Sequence, residues 1–185
     1  MPAGGATRAI LTAYREVMAA SWPDLHPDIV QRSALWPGAS DDQLKAELDR
    51  YLSEASLPGC NVRIFWKLGP EFRFGGFNEL FAQDAGLAPQ LLLGLDDYDK
   101  RLPWFAQAAK YRTDDEEVFR NGRAKLDILE RQRSSSGIIW VRAGKAPIRT
   151  EEDTILGILG MYEVLDSAMG RRLFTERTRR RSPPE

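Results

Sequence analysis

Side-chain catalysis needs a nucleophile beside a base, paired acids in a cleft, or a set of metal ligands. Few residues of this chain qualify. It holds one histidine, His26, and one cysteine, Cys60. His26 lies between two prolines in SWPDLHPDIV, where a packing or surface role fits better than ligation. The acidic runs Asp96-Asp97 and Asp114 to Glu117 carry oxygen ligands of the kind a divalent cation takes. A turn and a helix start explain them without a metal, so no metal site is assigned. Gly157 and Gly160 belong to a β-rich run rather than a GxGxxG or P-loop pattern, and there they ease close packing. Six arginines fall between Arg171 and Arg181 on a helix that begins near Asp166 and stops before Pro183. This helix is a solvated end, an output helix or a basic patch for an acidic partner. Without interleaved aromatics it argues poorly for nucleic acid, which is not expected as a partner. The chain is therefore not expected to be an enzyme.

The composition fits one domain of ordinary size with flanking helices. The 185 residues include 26 Lys plus Arg and 27 Asp plus Glu, a balance that gives no reason to expect nucleic acid or a membrane surface. A lone cysteine excludes an internal disulfide, and no apolar run is long enough for a membrane span. Arg8, Arg15 and Glu16 interrupt the first twenty residues, unlike a secretory signal. A reducing cytoplasm is the expected compartment.

The elements that would position a site are set by the hydrophobic period. After a flexible MPAGG, Ile10, Leu11, Tyr14, Val17 and Met18 mark one face of a helix from Ala6 to Ala20. Ser40 caps a second helix with Leu44, Leu48, Tyr51 and Leu52 on its apolar face. Residues 1–60 thus form a helical extension that either packs on the domain after it or builds a dimer seam. From Val62 the period becomes two: Val62, Ile64 and Trp66 alternate with Arg63, Phe65 and Lys67 in a strand. A short strand from Glu71 to Phe74 comes next, then short helices including FNELFAQDAG and TDDEEVFRNG, the latter starting at its threonine and acids. Extended chain resumes at Ala124, and Gly137 to Ile148 with Asp153 to Val164 reads as an antiparallel hairpin. Strands, short helices and strands again make an α+β order with one antiparallel sheet.

Four stretches in this order, FNELFAQDAG, GLDDYDKRLPW, YRTDDEEVFRNG and GIIWVRAGKAPIRT with ILGILGMYE, resemble the PAS sensor domains that precede bacterial histidine kinases and diguanylate cyclases. The resemblance covers residues 61–165, leaving 166–185 as a basic C-terminal helix. It implies a five-stranded antiparallel sheet with short helices on one face and an apolar cavity between them. Alternation then nominates Ile64, Trp66, Leu126, Ile128, Ile139, Val141 and Ile158 from the sheet, and Phe77, Phe81, Leu102, Trp104, Phe105, Tyr111 and Phe119 from the helices. Trp140, on the opposite face, is expected to anchor the lead-in helix; with Val164 and Asp166 it forms the expected relay.

The chain departs from the family at three places. Asp99 to Arg101 lengthen a turn, Asp153 replaces a hairpin glycine, and Val164, Leu165 and Asp166 replace an Asp-Ile-Thr signature. Asp166 can cap the last helix instead. With no histidine after residue 26, a histidine-ligated haem is not expected in the core, and Cys60 precedes the first strand, which argues against a cysteinyl-flavin adduct. The cofactor is left open. The implied function is a sensory module that binds a small ligand or a protein partner, homodimerises through its flanking helices and passes the change to a signalling protein or effector domain. The alternative is a ligand-free dimerisation or scaffold module.

Overall fold

The computed structural model describes residues 3–181. The expectations for Met1, Pro2 and the stop at Pro183 lie outside the described residues. Three helices come first, α1 (Ala3–Ser21), α2 (Ile29–Ser33) and α3 (Asp41–Ala55). Ser40 caps α3 through a capping box, its hydroxyl accepting from Gln43 N while the Gln43 side chain accepts from Ser40 N. The strands β1 (Val62–Leu68) and β2 (Arg73–Phe77) are next, then α4 (Glu79–Ala85), α5 (Pro89–Leu92) and α6 (Ala108–Asn121). The strands β3 (Lys125–Ser134), β4 (Gly137–Arg149) and β5 (Ile155–Leu165) complete the sheet, and α7 (Ser167–Arg181) comes last. All pairings are antiparallel in the order β2-β1-β5-β4-β3. The α+β, five-stranded architecture expected from the resemblance is the one observed.

The sheet has a core on each face. On the outer face Ile64, Trp66, Ile148, Leu159 and Met161 pack with Leu11, Tyr14, Val17 and Met18 of α1 and with Leu44, Leu48 and Tyr51 of α3. The apolar stripe of α1 is thus covered by the sheet of its own chain. On the inner face Phe65, Val141, Ala143, Ile158 and Tyr162 pack with Phe81, Leu92, Leu102, Trp104, Tyr111 and Val118.

Local chemistry moves three boundaries from where periodicity puts them. The strand expected over Glu71 to Phe74 starts at Arg73, because Phe72 donates its N–H to Gly69 O in a turn and takes φ 52°. The helix expected to open at Thr113 begins at Ala108, since Ala108, Tyr111, Asp115 and Val118 recur at helical spacing on the buried face. Asp114 and Asp115 therefore sit in mid-helix rather than in its first turn. A bulge between Lys125 and Ile128, with Asp127 at φ 56°, places Leu126 opposite to the face that simple alternation gives it. In the β4–β5 turn Asp153 adopts φ 67°, the left-handed conformation it was expected to supply in place of glycine.

Candidate ligand-binding site in the inner core

A cavity of about 30 Å3, enough for a water or two, lies between the inner sheet face and the helices. Its walls are Phe65, Lys67, Phe74, Phe81, Asp97, Trp104, Tyr111, Glu130, Gln132, Ala143, Lys145 and Tyr162. The aromatic side is tightly joined: Phe81 stacks on Phe65 at 4.9 Å between centroids and lies 5.5 Å from Trp104. Gly160, facing Phe65 across the β1–β5 register, leaves that ring its place, since a Cβ there would come within 2.2 Å of Phe65.

The polar side is a chain of buried charges. Lys67 Nζ donates to Asp97 Oδ2 at 2.5 Å and to Asp115 Oδ2 at 2.6 Å, and Lys145 Nζ donates to Asp115 Oδ1 at 2.6 Å. Trp104 Nε1 donates to the second Asp97 oxygen at 2.9 Å. All four charged side chains are at most 5% exposed. Burial alone would lower the Lys67 pKa, but Asp115 and Asp97 more than offset it and hold the ammonium above its usual range. Burial likewise pushes Asp115 up, while Lys145 and Lys67 pull it down further, leaving it below the usual carboxylate range. Burial raises the Tyr111 phenol, with Asp97 and Asp114 adding to it, so the hydroxyl keeps its proton. That hydroxyl is buried and has no hydrogen-bond partner among the described residues.

Each element brings its group here for a local reason. Asn78 caps α4, its Oδ1 accepting from Ile64 N at 3.0 Å and Phe81 N at 3.3 Å while its Nδ2 donates to Val62 O at 2.8 Å, which fastens Phe81 over β1. Asp97 stands in a connection tied by its own side chains: Asp96 accepts from Tyr98 N, and Asp99 accepts from Arg101 N and guanidinium. Arg101 holds the Asp99 carboxyl down to about 2. At the far end Tyr162 donates to Asp84 Oδ2 at 2.7 Å, and Arg63 donates to the same oxygen at 2.8 Å.

Of the expected pocket residues, Phe81, Trp104 and Tyr111 are in the cavity wall. Phe77, Leu102, Ile128, Ile139, Val141 and Ile158 belong to the surrounding inner core. Ile64 and Trp66 are corrected to the outer face against α1 and α3, and Leu126 to the outer side near Val17. The inward side of β1 is the one carrying Phe65 and Lys67. A lysine on a strand reads as a solvent mark, and its partners lie 30 and 48 residues away, so no local pattern showed them. His26 and Cys60 do not line the cavity.

The residues expected to form a relay lie where β4, β5 and α7 meet. Trp140 lies 5.5 Å from Phe174 and against Gly170, so it holds α7 and not the lead-in helix. The lead-in helix is instead held by Arg142, which donates to Ser21 O at 3.1 Å and covers Trp22. Asp166 accepts from Met169 N at 2.9 Å as the cap of α7, and Val164, 36% exposed, pairs with Val141. A wider furrow of about 500 Å3 runs between α1 and the β4–β5 turn. Arg8 and Glu151 on its sides pair with each other at 3.6 Å.

A five-stranded antiparallel sheet in this order with short helices over one face is the PAS fold. No protein-family model and no curated protein matches the chain in sequence. Solved structures share the fold. The Vibrio cholerae VqmA–ligand–DNA complex matches at a TM-score of 0.55 and 20% identity over 75% of this chain and 61% of that one. A phage VqmA–DPO complex gives 0.56 and 20% over 74% and 60%. An RNA-binding light-oxygen-voltage receptor gives 0.53 and 19% over 72% and 38%. The chain spans about three fifths of the length of these VqmA chains. These neighbours overturn the expectation against nucleic acid as a partner class, since one is a DNA complex and another an RNA-binding receptor. That expectation rests on the balanced total charge and on discounting α7 for want of interleaved aromatics, although the helix carries six arginines against Glu176. Among the described residues no helix is long and apolar enough to cross a membrane.

Proposed function

We propose that the chain is a PAS-type sensory module in which a small molecule entering the inner cavity alters the packing of β4 and β5 and so the seating of α7. The observation that carries this reading is the cavity itself, where aromatic rings and buried polar groups from β1, β3, β4, β5 and α6 converge on one point. Such convergence is how small-molecule sites fix orientation. A ligand shifts the α7 equilibrium only by its differential affinity for the two seatings. No catalytic step is part of the proposal, and the compartment it assumes is the reducing cytoplasm. A homodimer belongs to the same reading, with α7 rather than the buried α1 at its seam. The output is a signalling protein or effector domain, or a nucleic acid met by the arginines of α7.

Native mass spectrometry and an absorption spectrum of freshly purified protein, beside an Ala143→Leu variant that fills the cavity, test the reading. A retained small molecule, or thermal stabilisation by members of a compound library, is expected in the wild type and lost in the variant. A bare chain that no compound stabilises in either form would leave a ligand-free scaffold as the function. The nucleic-acid branch is read from fluorescence anisotropy with duplex DNA and single-stranded RNA: binding that weakens steeply with salt and is lost on replacing Arg171, Arg172 and Arg179 by Gln supports it.

A further inference from the structure

The hydrogen-bond balance of the cavity wall states which ligands it fits, and this step rests on the sensory reading above. Every oxygen of Asp97 and Asp115 already accepts a hydrogen bond, Asp97 from Lys67 and Trp104 and Asp115 from Lys67 and Lys145, and Glu130 accepts from Lys110. The donors have N–H and O–H groups to spare. An ammonium carries three N–H groups. Among the described residues Lys145 donates one of them and Lys67 two. The hydroxyl of Tyr111, a residue 7% exposed, meets no partner among the described residues. Buried donors without acceptors are costly, so this wall favours a guest that brings acceptors.

Charge narrows the guest further. Lys67 and Lys145 against Asp97 and Asp115 sum to zero, and Glu130, also on the wall, is paired with Lys110, so an ionised guest would add a charge without a counterpart in a largely buried site. The ammonium of Lys67 already sits 5.4 Å from the Phe65 and Phe74 centroids, and that of Lys145 sits 5.8 Å from Tyr111. The opposite wall consists of rings, of which Phe65 and Phe81 stack within 29° of parallel. Rings pack best on flat apolar faces. We infer that the cavity takes an uncharged, planar ring compound carrying a carbonyl-type acceptor, with Lys145 and Tyr111 donating to that acceptor and the phenylalanine rings holding its plane. Entry requires the rings to part, because about 30 Å3 is less than such a compound occupies.

Four probes separate the features: benzamide, toluene, benzoate and benzylammonium, each titrated into the full chain and followed by protein NMR shifts. Benzamide is expected to bind most tightly. Tyr111→Phe is expected to weaken it about five- to tenfold, the loss of one hydrogen bond. In the absence of a probe the same variant is expected to be as stable as the wild type or more so, since the deleted hydroxyl has no partner among the described residues. A structural role alone would move stability and leave the preference for benzamide over toluene intact. Lys145→Met is the second variant, read only if its spectrum remains that of a folded chain. Toluene or benzoate binding at least as tightly as benzamide, or Tyr111→Phe leaving benzamide unaffected, overturns the inference while the sensory reading stands. Silence of all four probes, with shifts produced by other library compounds that Ala143→Leu abolishes, also overturns the inference alone. Silence throughout overturns both.

Discussion

Asp115 has no exposed surface and stands between two ammonium groups, each 2.6 Å from one of its oxygens. Replacing it by alanine leaves Lys145 without its carboxylate and Lys67 with one partner instead of two. An uncompensated buried charge costs about 3–5 kcal/mol, and Asp115→Ala is expected to lose that much in urea unfolding. Replacing the cluster with apolar groups of similar volume is expected to cost far less, which distinguishes charge pairing from packing. His26 is a second buried titratable group, and the only histidine in the chain. Its Nε2 lies 2.6 Å from Tyr14 Oη and its Nδ1 lies 2.8 Å from Glu54, with Tyr51, Arg50 and Asp28 around it. Burial lowers its pKa below the ordinary 6.5, and the bond and charge of Glu54 offset only part of that. Below 6.5 the unfolded chain therefore binds a proton that the folded chain refuses, so stability falls with pH until the folded imidazole also titrates. A melting temperature that drops from pH 7 toward pH 5 in the wild type, and a flatter profile in His26→Gln, are expected from calorimetry.

At the scale of elements, α7 is the least committed of the long helices, because Gly170 is the one buried residue among its fifteen. Its attachments include the Asp166 cap, the contact of Gly170 and Phe174 with Trp140, and Arg177 donating to Asp127 Oδ2 at 2.7 Å. A Cβ at position 170 would stand 2.3 Å from Trp140 Cγ, so a larger side chain must lift the helix from the sheet. Gly170→Leu is expected to speed amide exchange across residues 171–181 and to redden Trp140 emission, while exchange in β4 and β5 keeps its rate. Slow exchange across α7 in the variant would show that the Trp140 contact does not seat it. The hairpin leading into this helix was legible because β4 and β5 are long and apolar, and Ser40 and Asp153 were legible as a cap and a turn residue. The attachment of α7 was not, since it depends on which face of β4 Trp140 occupies relative to a helix thirty residues later. The buried charge chain was hidden for the same reason. Asp97 and Asp115 look like turn and helix-start acids until the fold sets Lys67 and Lys145 against them.

For the whole molecule, the two faces of the sheet divide the labour. The inner face carries the cavity, and the outer face carries most of the uninterrupted apolar packing. Leu11, Tyr14 and Val17 of α1 have no exposed surface, and they cover Ile64, Ile148, Leu159 and Met161, which have none either. Burying one such side chain is worth roughly 1.5–3 kcal/mol. Three of them therefore approach the roughly 5–15 kcal/mol that holds a domain folded. By this measure α1 and α3 are expected to belong to the folding unit, although the PAS-like pattern starts only at Asn61. A chain beginning at Asn61 would expose a broad apolar face on a sheet whose edge strands are β2 and β3. Light scattering and circular dichroism of that truncation are expected to show soluble aggregates or an unfolded chain, whereas removal of α7 alone leaves a folded protein with an unchanged inner cavity. A monomeric, cooperatively melting fragment from Asn61 would mean that the inner core suffices, and that α1 covers the sheet without being needed to form it.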